Sequence, residues 1–193
     1  MTRCWILALS LFAAAAWAQQ AERPNAILLI AKPDLQDPNF SRTVVLVTQT
    51  PDGGTVGVIL NRPLGRTHTS GAPIFLGGPV MQGVIVALFR AEPAPAAPAF
   101  HVLKDVYLSM HPRNVDPLLE APAGARHRLY MGFSGWAPGQ LESEMQRDGW
   151  YVLPASEAII FRADTAGLWD ELVEKARGGR TESRTIPQRK TPN

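Results

Sequence analysis

One serine lies in a setting that resembles the turn around the nucleophile of a hydrolase. A nucleophile elbow requires glycine two residues before and two residues after its serine, because the backbone turns sharply there. Gly132 meets the first requirement for Ser134, whereas the bulky Trp136 stands at the second position. None of the four histidines lies in a context that is diagnostic of a partner base. The pattern favours a structural turn, and a hydrolase that uses Ser134 is kept as an alternative.

Backbone amides and one arginine offer anion-binding chemistry. Gly135 and Gly139 precede a predicted helix, whose N-terminal N–H groups can form a nest for an anion. Their spacing matches neither the dinucleotide-binding nor the P-loop fingerprint. Arg62 can bind a carboxylate or a phosphate through two parallel hydrogen bonds, and Asn61 beside it is expected to cap a turn. A surface ion pair is the simpler interpretation of Arg62.

The acidic residues and histidines predict no metal site. The histidines are scattered and Cys4 is the only cysteine, so no typical metal-ligand spacing is present. Glu142 and Glu144 are two residues apart in a predicted helix and therefore do not share a face. Glu142 is interpreted as favourable to the helix dipole. We expect no metal, no cofactor and no assignable catalytic residue.

Short apolar runs bounded by proline and glycine predict the strands. The runs at 27–30 and 44–47 are continuous, which is typical of strands buried on both faces. A turn at 51–54 leads to a return strand at 56–60, and the polar residues 66–71 are predicted to form a loop. Further strands are predicted at 73–76, 83–89, 100–108, 128–133 and 150–153.

Three helices are expected, the first of them a short one at 112–120. Pro138 suits the first position of the second, in which Leu141 and Met145 face the core. The last helix is expected to follow Asp164 as its N-cap and to end at Gly178. Its predicted apolar stripe comprises Leu168, Trp169, Leu172 and Val173, and its predicted i,i+4 ion pair joins Glu171 to Lys175.

The length and the order of elements predict one α+β domain. A chain of 193 residues agrees with a single domain. The strands come first and are then mixed with helices, without the regular alternation of a doubly wound sheet. With 46% hydrophobic and 19% charged residues, the composition excludes a disordered chain.

The first 18 residues have the pattern of a secretory signal peptide. Arg3 precedes an apolar stretch, and Ala16-Trp17-Ala18 places small residues where a signal peptidase cleaves. Cleavage removes Cys4 and leaves a cysteine-free mature domain, exported to the periplasm and without a stable membrane span. An uncleaved anchor and a wrongly assigned start codon are the alternatives.

The C-terminal residues 177–193 form a basic tail that is predicted to be disordered. The tail holds five basic side chains against Glu182 alone, and it has no apolar period. The rest of the mature chain is therefore mildly acidic, although the whole chain has a formal net charge of +2. Basic tails can bind nucleic acid, but an exported protein does not meet it, so we do not expect such a partner.

Several segments, read together and in order, resemble the AlgH/YqgE family from about residue 26 to 176. The similar segments are 28–33 with Asp37 and Phe40, 42–46, 57–63, 75–80, 132–136, and 139–142 with Glu144, Trp150 and Trp169. The resemblance implies a domain at 19–176 built round a barrel-like mixed β-sheet, and it supplies no catalytic residues. The family name implies a role in transcriptional control, which an export signal does not fit.

We therefore expect an exported, non-enzymatic binding or accessory protein with an unidentified protein or small-molecule partner. The alternatives are a cytoplasmic, transcription-related regulator and the Ser134 hydrolase. The candidate binding surface consists of Asn61, Arg62, Gly77, Gly78, Gly135, Trp136, Gly139, Gln140 and Glu142.

Overall fold

The computed structural model describes residues 26–122 and 127–182, so the predicted signal peptide and most of the basic tail lie outside the described residues. The strands are β1 (Ile27–Ala31), β2 (Val44–Gln49), β3 (Thr55–Ile59), β4 (Pro63–Thr67), β5 (Pro73–Leu76), β6 (Val80–Arg90), β7 (Phe100–Leu103), β8 (Val106–Ser109), β9 (His127–Trp136) and β10 (Trp150–Pro154). The helices are α1 (Pro112–Glu120), α2 (Gln140–Gln146), α3 (Glu157–Ile160) and α4 (Leu168–Glu182).

The strands form one large, mixed sheet. Its main path runs β10-β1-β2-β3-β9-β6-β8-β7 with antiparallel neighbours throughout, while β5 pairs parallel with β9 and carries β4. The sheet curves so that β7 returns towards β2, where Thr48 Oγ1 donates to the carbonyl of His101 at 3.2 Å. The predicted α+β class and mixed sheet are confirmed. The sheet stays open, however, and does not close into a barrel.

The concave face of the sheet encloses the main core. Alternate residues of β1, β2 and β3, such as Leu28, Leu46 and Val58, are buried there. Tyr130 of β9 is fully buried among them, and burial raises the pKa of its hydroxyl to about 12. The predicted stripe of α4 covers the same core and is confirmed, since all four of its residues are buried: Leu168, Trp169, Leu172 and Val173.

The convex face is buried as well, which explains the continuous apolar runs of β1 and β2. Over those strands α2 packs with Leu141, in a cluster that contains Leu29, Val45 and Trp150. Over β6 and β9, α1 packs with Val115.

Within the described part of the chain, no helix is long and apolar enough to cross a membrane.

Several sequence-based expectations about local structure were wrong. The single strand expected at 100–108 is the hairpin of β7 and β8, and α2 begins at Gln140, two residues after Pro138. Residues 63–67 form β4, so residues 66 and 67 belong to a strand where the loop 66–71 was expected, because backbone pairing with β5 needs no apolar pattern. The last helix begins at Leu168, since the Asp164 carboxylate accepts from Ala166 N at 2.8 Å and caps a turn ahead of it. That helix also continues past Gly178 to Glu182.

The predicted ion pair on α4 is replaced by a longer-range one. Glu171 accepts two hydrogen bonds from Arg162, at 2.6 and 3.1 Å. A bidentate guanidinium pair is stronger than a single ammonium contact, so Arg162 rather than Lys175 is the partner.

The four-residue helix α3 has no periodic signal in the sequence, and contacts from distant residues hold it. Arg90 pairs with Glu157 at its start (2.7 Å). Arg128, itself buried, donates to the carbonyl of Ile160 at its end (3.0 Å). The ring of Phe75 lies 4.0 Å from the Arg128 guanidinium.

Candidate functional site

The loop between β1 and β2 is fastened by Arg62. Its guanidinium donates to the carbonyl of Asn39 at 2.6 Å and to that of Ser41 at 3.0 Å. Burial lowers the pKa of Arg62, and the nearby Asp37 carboxylate opposes that shift. The surface ion pair expected for Arg62 is therefore wrong, because main-chain carbonyls take its guanidinium.

The side chain of Asn61 also holds this loop, because it makes two hydrogen bonds with the backbone, as a neighbouring strand would. Its side-chain oxygen accepts from Val44 N at 2.8 Å, and its amide nitrogen donates to the carbonyl of Arg42 at 3.0 Å. Both bonds satisfy main-chain groups just before and at the start of β2. Asn61 thus fixes where the loop ends and the strand begins.

The fastened loop presents Phe40 to two tryptophans. The Asp37 carbonyl accepts from the N–H groups of Phe40 and Ser41, at 3.0 and 2.7 Å, which closes a tight turn. The Phe40 ring stacks on Trp136 and meets Trp150 edge to face, with both ring centroids 5.6 Å away. Such pairs add stability beyond their buried area, so the three rings form one rigid aromatic cluster.

Glu144 of α2 accepts hydrogen bonds from both indoles of this cluster. Trp136 Nε1 lies 3.0 Å and Trp150 Nε1 lies 3.4 Å from the same oxygen, Oε2. Gln140 Nε2 donates to the other oxygen of Glu144, Oε1, at 3.2 Å. The side-chain oxygen of Gln140 accepts from Ala137 N at 3.1 Å. Among the residues described, Glu144 has no ion pair, so neutral donors alone hold its carboxylate.

A pocket of about 250 Å³ opens beside this carboxylate, and we call it the Glu144 pocket. Two carboxylates, one guanidinium and an apolar wall line it. Its turn at Gly149 is tied to the end of β1, since Lys32 N donates to the Gly149 carbonyl at 3.0 Å. The lining residues are Leu35, Asp37, Phe40, Glu144, Arg147, Gly149 and Trp150.

A second pocket, of about 280 Å³, lies on the other side of α2, and we call it the Glu142 pocket. It is lined by the ends of β1, β2 and β3 together with Leu141, Glu142 and Met145. No aromatic ring lines it. The short helix α2 therefore forms a wall of both pockets.

Gly77 and Gly78 belong to neither pocket. A Cβ on Gly77 would lie 2.1 Å from the carbonyl oxygen of Gly132, and a Cβ on Gly78 would lie 2.3 Å from Ser134 Oγ. Both glycines are buried. They let the segment after β5 pack directly on β9, and the structure places them in this packing contact.

Ser134 is part of the same packing contact. Its side chain is fully buried, and its hydroxyl donates to the carbonyl of Gly77 at 3.1 Å. A nucleophile must reach its substrate, and this hydroxyl cannot. The structural turn expected here is wrong as well, because Ser134 lies within β9, opposite Gly57 of β3.

The other seven predicted site residues fall into three groups. Trp136 and Gln140 meet at the Glu144 carboxylate, and Asn61 and Arg62 support the loop opposite them. Glu142 faces the other pocket. Gly135 is exposed, and Gly139 has a φ of +79° at the N-cap of α2, where the positive φ suits glycine.

Glu144, Phe40 and Trp150 were not predicted as site residues, although signals for them exist. The i,i+4 spacing of Gln140 and Glu144 places the two side chains on one helix face. Buried indoles need an acceptor, and Glu144 is one of the three acidic residues between the two tryptophans in the sequence. In the described ranges, no group of three His, Cys, Asp or Glu side chains could hold a metal ion.

Comparisons of sequence identify the family of the chain. The family model described as DUF179, AlgH-like, matches residues 28–180. A UPF0301 protein of Thermobifida fusca is 36% identical over 185 residues, which cover 86% of this chain and 93% of that protein. A UPF0301 protein of Mycobacterium tuberculosis is 35% identical over 174 residues, which cover 82% of this chain and 85% of that protein.

Two solved structures share the fold. The solution structure of the AlgH protein from Pseudomonas aeruginosa matches with a TM-score of 0.64 and 24% identity, over 86% of this chain and 94% of that one. The crystal structure of a Corynebacterium diphtheriae protein matches with a TM-score of 0.63 and 22% identity, over 80% of this chain and 87% of that one. The family model and the sequence relatives together establish that the chain belongs to the AlgH-like family, also called AlgH/YqgE.

Proposed function

We propose that the protein is an exported binding or accessory protein that takes a small ligand in the Glu144 pocket. The observation that carries this proposal is the convergence of distant segments on one carboxylate. Residues from the β1–β2 loop, β9, α2 and β10 all meet at or beside Glu144. Pockets with a mainly apolar wall and a few oriented polar groups are the usual form of ligand sites.

The chemistry at the site supports binding rather than turnover. The pocket offers carboxylates, one guanidinium and aromatic rings, and no activated nucleophile lines it. The hydrolase alternative loses its residue, because Ser134 is buried against Gly77. Ester or phosphoester turnover that disappears in Ser134→Ala would nevertheless restore that alternative.

Binding is tested by following the indole N–H resonances of the ¹⁵N-labelled protein. A panel of small amines, amino acids, sugars, nucleotides and dipeptides is titrated, and the Trp136 and Trp150 signals report on the pocket. Trp169 is an internal control, because its Nε1 donates to the carbonyl of Ala31 at 2.7 Å, in a buried contact with β1. At least one compound is expected to shift the two pocket signals saturably while the Trp169 signal stays fixed.

Two results would count against the pocket. If no compound moves the Trp136 and Trp150 signals, the pocket is not a small-ligand site. If the compounds bind only in the Glu142 pocket, Met145→Ala will abolish the shift of the indole signals and Glu144→Gln will retain it. The ligand site would then lie on the other side of α2.

The export half of the proposal is tested separately, by the N-terminal mass of the protein recovered from fractionated cells. A mature chain that begins at Gln19 in the periplasm is expected. A full-length chain in the cytoplasm would contradict export and favour the regulator alternative. That alternative predicts DNA binding through the basic tail with a steep dependence on salt.

A further inference from the structure

We propose that the ligand of the Glu144 pocket is a small organic ammonium ion. This inference rests on the proposed function of the same pocket and adds the chemical class of its ligand. Three features carry it: a carboxylate that has no cationic partner among the described residues, an apolar and aromatic wall beside that carboxylate, and an excess of negative charge in the lining.

The Glu144 carboxylate has room for one further donor. An ionised carboxylate offers about four acceptor positions on its two oxygens. Two indole N–H groups end on Oε2 and one amide N–H ends on Oε1. The free position therefore lies on Oε1, and a charged donor placed there makes a stronger hydrogen bond than a neutral one.

The wall of the pocket fits the apolar part of such a cation. Leu35, Phe40 and Trp150 line the space next to Glu144. Ammonium groups that carry methyl or methylene substituents bind well where aromatic rings and a carboxylate meet, because the ring quadrupole attracts the cation. A volume of about 250 Å³ limits the ligand to a few heavy atoms beyond the ammonium group.

The charges of the lining select against anions. Asp37 and Glu144 contribute two negative charges, and Arg147 contributes one positive charge. Arg147 is exposed at the rim, where it donates to Ser143 Oγ at 3.3 Å, whereas Glu144 is half-buried. An anion that enters the pocket would therefore meet a lining with a net negative charge.

The test compares choline and ethanolamine with 3,3-dimethylbutan-1-ol, the neutral isostere of choline, by calorimetry and by the indole resonances. Choline, ethanolamine or both are expected to shift the Trp136 and Trp150 signals saturably. The isostere should bind at least about tenfold more weakly than choline, because it lacks the charge that contacts the Glu144 carboxylate. Equal binding of choline and its isostere would overturn the inference.

Matched substitutions on α2 assign the effect to one carboxylate. Glu144→Gln keeps an acceptor for the indoles but removes the charge, and it should weaken binding of the cation at least about tenfold. Glu142→Gln removes a charge two residues away, on the other pocket, and should leave binding within about twofold, since exposed charges interact weakly. Unchanged binding in Glu144→Gln would contradict the inference, and near-ultraviolet circular dichroism confirms that both variants are folded.

Failure of this inference and failure of the proposed function give different results. If neither amine binds but another compound of the panel shifts the two indole signals, the ammonium assignment is wrong and the pocket stays a ligand site. If no compound shifts them, both proposals are wrong.

Discussion

Gly77 and Gly78 lie where two backbone segments approach too closely for a Cβ atom. The nearest atom to a Cβ on Gly77 belongs to the backbone of Gly132, which cannot swing away as a flexible side chain can. Ser134 seals the same contact with its hydroxyl. Gly77, Gly78 and Ser134, which the sequence suggests as candidate site residues, therefore serve the packing of the segment after β5 on β9.

Gly77→Ala is expected to destabilise the protein by at least about 3 kcal/mol, because overpacking against backbone forces strands to move. The free energy of unfolding in urea measures the effect. Gly83→Ala is the matched control, since no atom lies within 4 Å of its Cβ position, and it should change stability by less than about 0.5 kcal/mol. Similar stabilities for the two variants would disprove the close contact.

His127 is expected to make stability depend on pH. It is 7% exposed, and burial lowers the pKa of its imidazole. In the unfolded chain the imidazole takes up a proton near pH 6.5, whereas in the folded state it does so only at lower pH. The free energy of unfolding is therefore highest above pH 6.5 and falls as the pH drops below that value. In urea titrations between pH 7.5 and pH 5.5, His127→Gln should flatten this fall, whereas His68→Gln should keep it. An unchanged slope in His127→Gln would assign the dependence to other groups.

The β1–β2 loop shows how elements far apart in sequence define the candidate site. Arg62 and Asn61 follow β3, yet they hold residues 39–44 in place. Phe40 can stack on the two tryptophans only while that loop is held. The shape of the Glu144 pocket therefore depends on a side chain that does not line it.

Arg62→Ala is expected to free this loop and to lower the free energy of unfolding by about 1.5–3 kcal/mol, the usual loss for hydrogen bonds from a charged donor. Hydrogen exchange at the amides of Phe40 and Ser41 should accelerate by more than the global destabilisation explains. Arg66→Ala is the control, because Arg66 lies on the exposed strand β4, and it should cost less than about 0.5 kcal/mol. Protection of the two amides that stays at the wild-type level would contradict the role of Arg62.

Local pattern predicts most of the elements but not how they meet. The apolar runs of β1 and β2 and the stripe of α4 are visible in sequence, because burial on both faces or on one helix face leaves a period. The start of α4 is not, since Asp164 caps equally well a turn or a helix. The hydrogen-bond partners of Arg62 and Glu144 include residues from other segments of the chain. Rules based on local sequence spacing do not predict such contacts.

At the scale of the whole molecule, α4 covers the open sheet. Trp169 is buried in the main core, and its indole donates to the carbonyl of Ala31 at the end of β1. The guanidinium of Arg42 lies 4.1 Å from the Trp169 ring and also pairs with Asp170 at 3.1 Å. These contacts bind the last helix to β1 and to the residues just before β2, so the two ends of the described domain pack against each other.

Trp169→Ala is expected to cost about 3–5 kcal/mol, the usual loss when a buried tryptophan leaves a cavity. One cooperative transition in urea should move to lower concentration, because α4 and the sheet share one core. Glu174→Ala, on the exposed side of the same helix, should change stability by less than about 0.5 kcal/mol. A separate early transition for α4 would show that the helix is not part of the cooperative unit.

The position of α2 between the two pockets has a consequence for how they communicate. Seven residues form a helix too short to be stable alone, and its two sides face different cavities. A molecule that displaced the helix from one side would therefore also reshape the opposite cavity. If it changed the affinity there, thermodynamic linkage would require that occupancy of the opposite cavity change the affinity of the first by the same factor.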